Sequence, residues 1–168
     1  YENDYRVRTG DIDMDSRVRL DGLARYLQDV ANDNYDDSGF AKVAPFWIVR
    51  RTVIDVLSPI VSPASFHAER WCGALSTRWT DMRVTLKSTT ETSMFNPETR
   101  PDGLVEAVGF WINVNDQGMP SRIGDEVMDL LAFAGTRGAE IRFIDTRDPY
   151  DPAVAPALER FVADLAAR

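Results

Sequence analysis

The chain has 168 residues, enough for one domain that buries roughly 70% of the surface its unfolded form exposes. Its 44% hydrophobic and 27% charged residues are ordinary globular values and argue against disorder. The 19 basic and 27 acidic side chains give a net charge of −8, which opposes the counterion release that drives nucleic-acid binding.

The one cysteine, Cys72, excludes an internal disulfide. No run of about 18 apolar residues and no signal-like N-terminus occurs. The reading is a soluble, cytoplasmic protein with neither membrane nor nucleic acid as partner. Tyr1 is not an initiator methionine, which reads as a chain trimmed at its start.

Residues 5 to 9, YRVRT, alternate like a strand and lead into a polar loop over 10 to 16. Leu20, Leu23, Ala24, Leu27, Val30, Ala31 and Asn34 then fall on one helical stripe. Ser16 is the candidate N-cap and Gly39 the stop, giving a helix of about five turns. After Pro45 come four strand-like runs, 46 to 58, 65 to 77, 79 to 90 and 103 to 115, rich in β-branched and aromatic residues. Polar turn segments at 95 to 103 and 115 to 121 suit hairpins between antiparallel neighbours. Connections this short argue against parallel βαβ crossovers. The strands are long for a small domain, and long strands can curl around a long helix. With 124 to 133 as a closing helical turn, the elements form an α+β architecture: a curved antiparallel sheet wrapped around a central helix, as in the hotdog fold.

Several stretches resemble one family. RVRTGDIDMDSRVRLDGLARYLQDVANDN, FWIVRRTVIDV, RWCGALSTRWTDMRVTL and GLVEAVGFWINVNDQGMPSRIGDEV are similar, in order and spacing, to the acyl-[acyl carrier protein] thioesterases, which are tandem hotdog proteins. The likeness is mainly to their first hotdog and covers residues 5 to about 131. It implies a hydrolase of fatty acyl thioesters carried by acyl carrier protein or CoA, in fatty acid biosynthesis, with no cofactor.

In single-domain hotdog thioesterases the loop before the helix resembles Asp-x-Asp-x-x-Gly-His-Val-Asn-Asn. Asp11 and Asp13 match its acids, whereas Ser16, Arg17, Arg19 and Leu20 replace the Gly, His and both Asn. The resemblance implies that this first hotdog shapes the acyl pocket and that a second one carries the catalytic Asp, Asn and His. Residues 140 to 168 repeat strand, acidic loop and amphipathic helix, with Leu158, Phe161, Val162 and Leu165 on one face. The expected division is therefore a hotdog over 1–135 and the start of an incomplete second one over 136–168. Asp148-Pro149-Tyr150-Asp151 resembles the acidic part of a catalytic loop, but Pro152 stands at the His position.

Thioester hydrolysis needs a placed water or carboxylate, a proton-handling group and donors for the oxyanion. Asp148, Asp151 and Asp13 are the catalytic candidates. The bland reading of Asp11 and Asp13 is that they serve the loop and the helix dipole. Asp29 and Asp33, four apart on the helix, read as a solvated or dimer-facing edge. His67, the only histidine, reads as an ordinary strand residue sharing a face with Glu69, and Cys72 as a small buried side chain. No metal-ligand spacing and no Gly-rich phosphate loop occurs.

Leu23, Leu27, Trp47, Trp71, Met82 and Trp111 are the candidate acyl-pocket residues, the bland alternative being plain core. Arg50, Arg51, Arg78 and Arg83 are candidates for a local patch that meets an acidic carrier or a phosphopantetheine phosphate. Their alternative role is pairing with carboxylates on the same sheet face. An unpaired hotdog exposes an edge strand, so a homodimer or pairing with a second hotdog is expected. The rival functions are a non-catalytic acyl-binding or scaffold module and an acyl-thioester dehydratase. The latter needs a helix-associated Asp-His pair that His67 does not offer.

Overall fold

The computed structural model describes residues 1–44, 46–92, 94, 96–134 and 142–143. In chain order these form strand β1 (Glu2–Arg6), a 3-10 turn (Thr9–Asp11), helix α1 (Leu20–Ser38) and the short helix α2 (Phe40–Val43). Strands β2 (Trp47–Ser58), β3 (Ala64–Leu75), β4 (Trp79–Thr90) and β5 (Leu104–Asn113) follow. Helix α3 (Asp125–Ala134) and strand β6 (Arg142–Phe143) come last. The sheet order is β1-β3-β4-β5-β2, antiparallel throughout, except that β6 pairs parallel to β3 beside Ala74 and Leu75. This is the expected α+β hotdog: a long helix held against one face of a curved sheet.

The first strand lies earlier than the 5 to 9 reading, because Glu2–Arg6 pairs with Ser65–Glu69. Ser16 is not the N-cap: α1 begins at Leu20 behind Arg19, with no side-chain cap. Residues 12 to 18 instead fold back on themselves. Ile12 bridges Val18, Ser16 takes φ 62°, and Asp13 Oδ1 accepts the N–H groups of Asp15 and Arg17 at 2.9 Å each. An Asx-type turn has outcompeted an earlier helical start. The C-terminal reading holds: Gly39 is left-handed (φ 73°), where a side chain would be strained, and its N–H bonds Asp36 O.

The buried stripe of α1 is Gly22, Leu23, Tyr26, Leu27, Val30 and Ala31, so Leu20 and Ala24 turn outward. Tyr26 causes the rotation. Its ring buries against Phe66, edge-on at 5.0 Å, and its hydroxyl accepts the Arg8 N–H at 2.8 Å. A phenol with a partnered hydroxyl buries more apolar area than an alanine can.

Two apolar clusters lie between helix and sheet. The first gathers Leu23, Tyr26, Leu27 and Val30 of α1 against Phe66, Ala68, Val84, Leu86, Val105 and Ala107. The second contains Phe40, Cys72, Leu75, Met82, Ile123, Val127 and Leu131, with Tyr35, Trp47 and Trp111 packed on it. Residues 59–63 carry the chain from the outer strand β2 across the ends of β5 and β4 into β3. The close approach of Ile60 to Gly103 marks that crossing.

The predicted turn at 95 to 103 falls within the β4–β5 connection. The one at 115 to 121 is not a link between long strands; it closes on a single bridge, Val114 to Pro120, before α3.

Candidate functional site

A cleft of about 190 Å³ opens into the second cluster. Helix α1 contributes Ala31, Asn34 and Tyr35 to it, with the exposed Gln28 and Asn32. The helical side is completed by Phe40 of α2 and Leu131 of α3. The sheet contributes Trp47, Arg70, Thr80, Met82 and Trp111. Strand alternation explains this set. Met82 pairs with Cys72 and Gly109, and Thr80 with Leu75 and Trp111, so these rows face the helices.

Of the residues expected to form an acyl pocket, Trp47, Met82 and Trp111 line the cleft. Leu23 (2% exposed) and Leu27 (8%) do not; they sit in the first cluster. Trp71 does not either, since it pairs with Arg83 and the alternation turns both to the opposite sheet face. Sequence reasoning missed Arg70, Asn34, Tyr35 and Thr80.

Arg70 is the charged group of the cleft. Its Nε donates to Asn34 Oδ1 at 3.1 Å, and its guanidinium carbon lies 5.2 Å from the Trp111 ring centroid, a cation–π distance. Burial pulls Arg70 down to about 10, which leaves it a cation at neutral pH. Nearby, the buried Trp47 Nε1–H has no acceptor among the described residues. A donor left in that state costs about 1–3 kcal/mol. Cys72 lies beneath the cleft, with Sγ 3.2 Å from Thr80 Oγ1. Burial pushes its thiol up, away from a reactive thiolate.

The start of α1, where single-domain enzymes hold their working loop, is closed by a charged network. Arg19, at one Asn position of that loop, donates to Ile12 O at 2.8 Å and Gly10 O at 3.1 Å, and its Nε bonds Asp21 at 2.9 Å. Arg25 bridges Asp21 Oδ2 (3.0 Å) and the buried Asp11 (3.1 Å from Nε). The Arg25 guanidinium holds the Asp11 carboxyl below the usual range, and Arg19, with Arg25, does the same for Asp21. Both carboxylates stay ionised and engaged. Asp13 is exposed and occupied with its own loop. Asp148 and Asp151 lie outside the described residues.

Asp33 accepts the Tyr5 hydroxyl at 2.5 Å, and Asp29 pairs with Arg8 at 3.8 Å. These two helix acids therefore have structural partners. His67 Nδ1 lies 2.7 Å from Asp4 Oδ1, and Glu2, His67 and Glu69 bring ligand atoms within 4.8 Å of one another on the outer sheet face. Lys87 Nζ already stands 3.5 Å from Glu69 there.

The four candidate carrier arginines are not gathered at the cleft. Arg51 pairs with Phe110, and Arg83 lies on the face opposite the helices. Arg50 occupies a bulge, and Arg78 lies in the β3–β4 turn.

Asp81, also on that outer face, pairs with Phe110. Its Oδ1 is buried with no hydrogen-bond partner among the described residues, and Arg83 Nε is 4.0 Å away. Burial therefore raises its carboxyl above the normal value. A carboxyl raised on folding contributes stability that is complete below the unfolded value and is lost as pH rises through the folded value. Asp81→Asn is expected to flatten the fall in melting temperature above about pH 4 and to melt above the parent at neutral pH. Paired thermal melts across that range test it, and parallel pH profiles would refute it.

Residues 1–131 match the family described as acyl-ACP thioesterase N-terminal domain. The uncharacterized protein Rv2001 of Mycobacterium tuberculosis is 45% identical over 127 residues, which is 75% of this chain and 46% of that protein. The chain thus spans about half the length of the curated relatives it matches.

A thioesterase of Thermus thermophilus, solved with coenzyme A and Zn, superposes with a TM-score of 0.63 at 16% identity. The match covers 81% of this chain and 95% of that one. The 4-hydroxybenzoyl CoA thioesterase of Pseudomonas sp. strain CBS-3 gives 0.63 at 11% identity, covering 77% and 97%. These structures share the hotdog fold. No helix among the described residues is long and apolar enough to cross a membrane. Fold and residue match agree: the chain belongs to the acyl-ACP thioesterase family, through its N-terminal domain.

Proposed function

We propose that this chain is the acyl-holding half of a cytoplasmic thioesterase that hydrolyses fatty acyl thioesters of acyl carrier protein or CoA. One observation carries the reading: a partly apolar cleft, walled by Trp47, Met82, Trp111, Phe40 and Leu131, opens between helix and sheet in a chain of this family. In the reaction water adds to the thioester carbonyl, the C–S bond breaks, and the thiolate takes up a proton. The groups handling that water and proton lie in a second hotdog, whose opening the sequence of residues 136–168 resembles, Asp148 and Asp151 falling on its acidic stretch. The closed network at Arg19 supports this division, because it engages Asp11 and Asp21 with arginines, while Asp13 is held by its own turn.

Pairing with a second hotdog runs along β2. Among the described residues this strand ends the sheet, and it exposes Ile48, Val49, Val56 and Leu57, an apolar edge of the kind that recruits another strand. The outer-face arginines, Arg51 and Arg83 among them, would meet the acidic carrier.

The same Arg19 network favours a second reading, an acyl-binding module without turnover. Acyl-pantetheine, acyl-CoA and acyl carrier protein thioesters of graded length separate the two, with thiol release followed beside calorimetric binding. The expected result is binding by this chain and thiol release once the second hotdog is present. Binding without release by the longer chain selects the non-catalytic module, and no binding by either sinks both.

A further inference from the structure

We infer that the cleft is built to hold a carboxylate carried on an aliphatic chain, with Arg70 as counter-charge and the Trp47 indole N–H as a second donor. The inference rests on the proposed reading of the cleft as the acyl site and deepens it by naming the group the chain must carry.

The Arg70 side chain has one hydrogen bond among the described residues, from Nε to Asn34, so its terminal nitrogens are unspent. Among the described residues no carboxylate lies within ion-pair distance of it, whereas Arg19, Arg25 and Arg122 each have one. Even with 27 acidic side chains in the sequence, the described part of the chain leaves this interior cation without a counter-ion. None of the described residues lining the cleft is acidic.

Trp47 supplies an independent observation: among the described residues its buried Nε1–H has no acceptor, and the residue itself lines the same cleft. Positions Trp47 and Val49 alternate with Ile48, and Val49 pairs with Trp111. Trp47 and Trp111 therefore share the inner face with Arg70. A guanidinium offers a fork of donors that matches the two oxygens of a carboxylate. The indole N–H adds one further donor. Trp111 holds the guanidinium from its ring face and leaves the fork's edge free. Ala31, Phe40, Met82 and Leu131 provide apolar wall that a hydrocarbon satisfies and a bare inorganic anion does not.

Two sources supply this chemistry. One is the far end of an acyl chain that is itself a carboxylic acid. The other is the head group of the free fatty acid released by hydrolysis.

Calorimetric titration of the full chain with dodecanoate, methyl dodecanoate and inorganic phosphate tests the inference. Dodecanoate is expected to bind at least about tenfold more tightly than its methyl ester. Arg70→Met should erase the difference, Arg70→Lys should keep part of it, and Trp47→Phe should reduce it. A second arm compares S-dodecanoyl-pantetheine with the ω-carboxyacyl-pantetheine of the same length. Tighter Arg70-dependent binding of the ω-carboxy compound assigns the site to the far end of the acyl chain. Equal binding of the two thioesters, with the acid still preferred over its ester, assigns it to the released acid.

Equal affinity for dodecanoate and methyl dodecanoate overturns the inference while leaving the acyl cleft standing. So does a preference that survives Arg70→Met, or displacement of dodecanoate by phosphate at comparable concentration. Absence of binding by every chain-bearing probe overturns the acyl cleft itself.

Discussion

Phe66→Ala is expected to remove about 3–5 kcal/mol of stability, the usual loss on emptying a large aromatic site in a packed core. Phe66 is 2% exposed in the first cluster. It stacks on Tyr5 at 5.5 Å and meets Tyr26 edge-on at 5.0 Å, so one ring links β1, β3 and α1. A domain holds only about 5–15 kcal/mol in total, so this single truncation should leave a substantial unfolded fraction. Urea unfolding followed by far-UV circular dichroism measures it, with Phe66→Leu as the milder control. A loss under about 1 kcal/mol for the alanine variant would contradict the packing described, because it would place the site among surface positions.

Gly109→Val is expected to weaken binding of S-dodecanoyl-pantetheine at least about tenfold, or 1.4 kcal/mol. A Cβ at this position would stand 2.6 Å from Trp111 Nε1, nearer than any unstrained contact. Gly109 faces the helices between Met82 and Thr52, so the added methyls push the Trp111 indole into the cleft it lines. Gly109→Ala should give a smaller loss of the same sign. Replacing a strand glycine also narrows the conformational freedom of the unfolded chain, which partly offsets the crowding in the folded state. The effect should therefore fall on affinity more than on unfolding free energy. Calorimetry beside urea unfolding separates the two, and unchanged affinity in the valine variant would remove Trp111 from the acyl site.

Periodicity was enough to read the helix, its Gly39 end and the four long strands, because each is a repeated pattern over ten or more residues. It failed where one specific contact outweighs the pattern. The Asp13 turn delays the start of α1, and the Tyr26 hydroxyl rotates the buried stripe. The site was only half legible. Trp47, Met82 and Trp111 announce themselves as large apolar residues on strands, but so does Trp71, and only the pairing register assigns it to the other face. The bulge at Gly73 complicates that register, since it lets Cys72 and Leu75 face inward despite their odd separation. Arg70 did carry a signal. It occupies the inward phase set by Phe66, Ala68 and Cys72, so a cation interrupts an apolar alternation. Phasing the strand on those three residues would have singled it out ahead of Arg50, Arg51, Arg78 and Arg83. The charged network at Arg19 was not visible at all, because its members come from loop and helix and meet only through the folded backbone.

The division of the interior into two clusters has a dynamic consequence. The first is sealed by α1 and the central strands, whereas the second is walled partly by the short helices α2 and α3. Opening events then follow a hierarchy. Amides of β3 and β4 beneath Tyr26 and Phe66 are expected to exchange only with global unfolding, and those of α2 and α3 through local release. A ligand entering the cleft selectively slows the second set, so its arrival is legible in hydrogen exchange at α2 and α3 before any change in the melting of the whole chain.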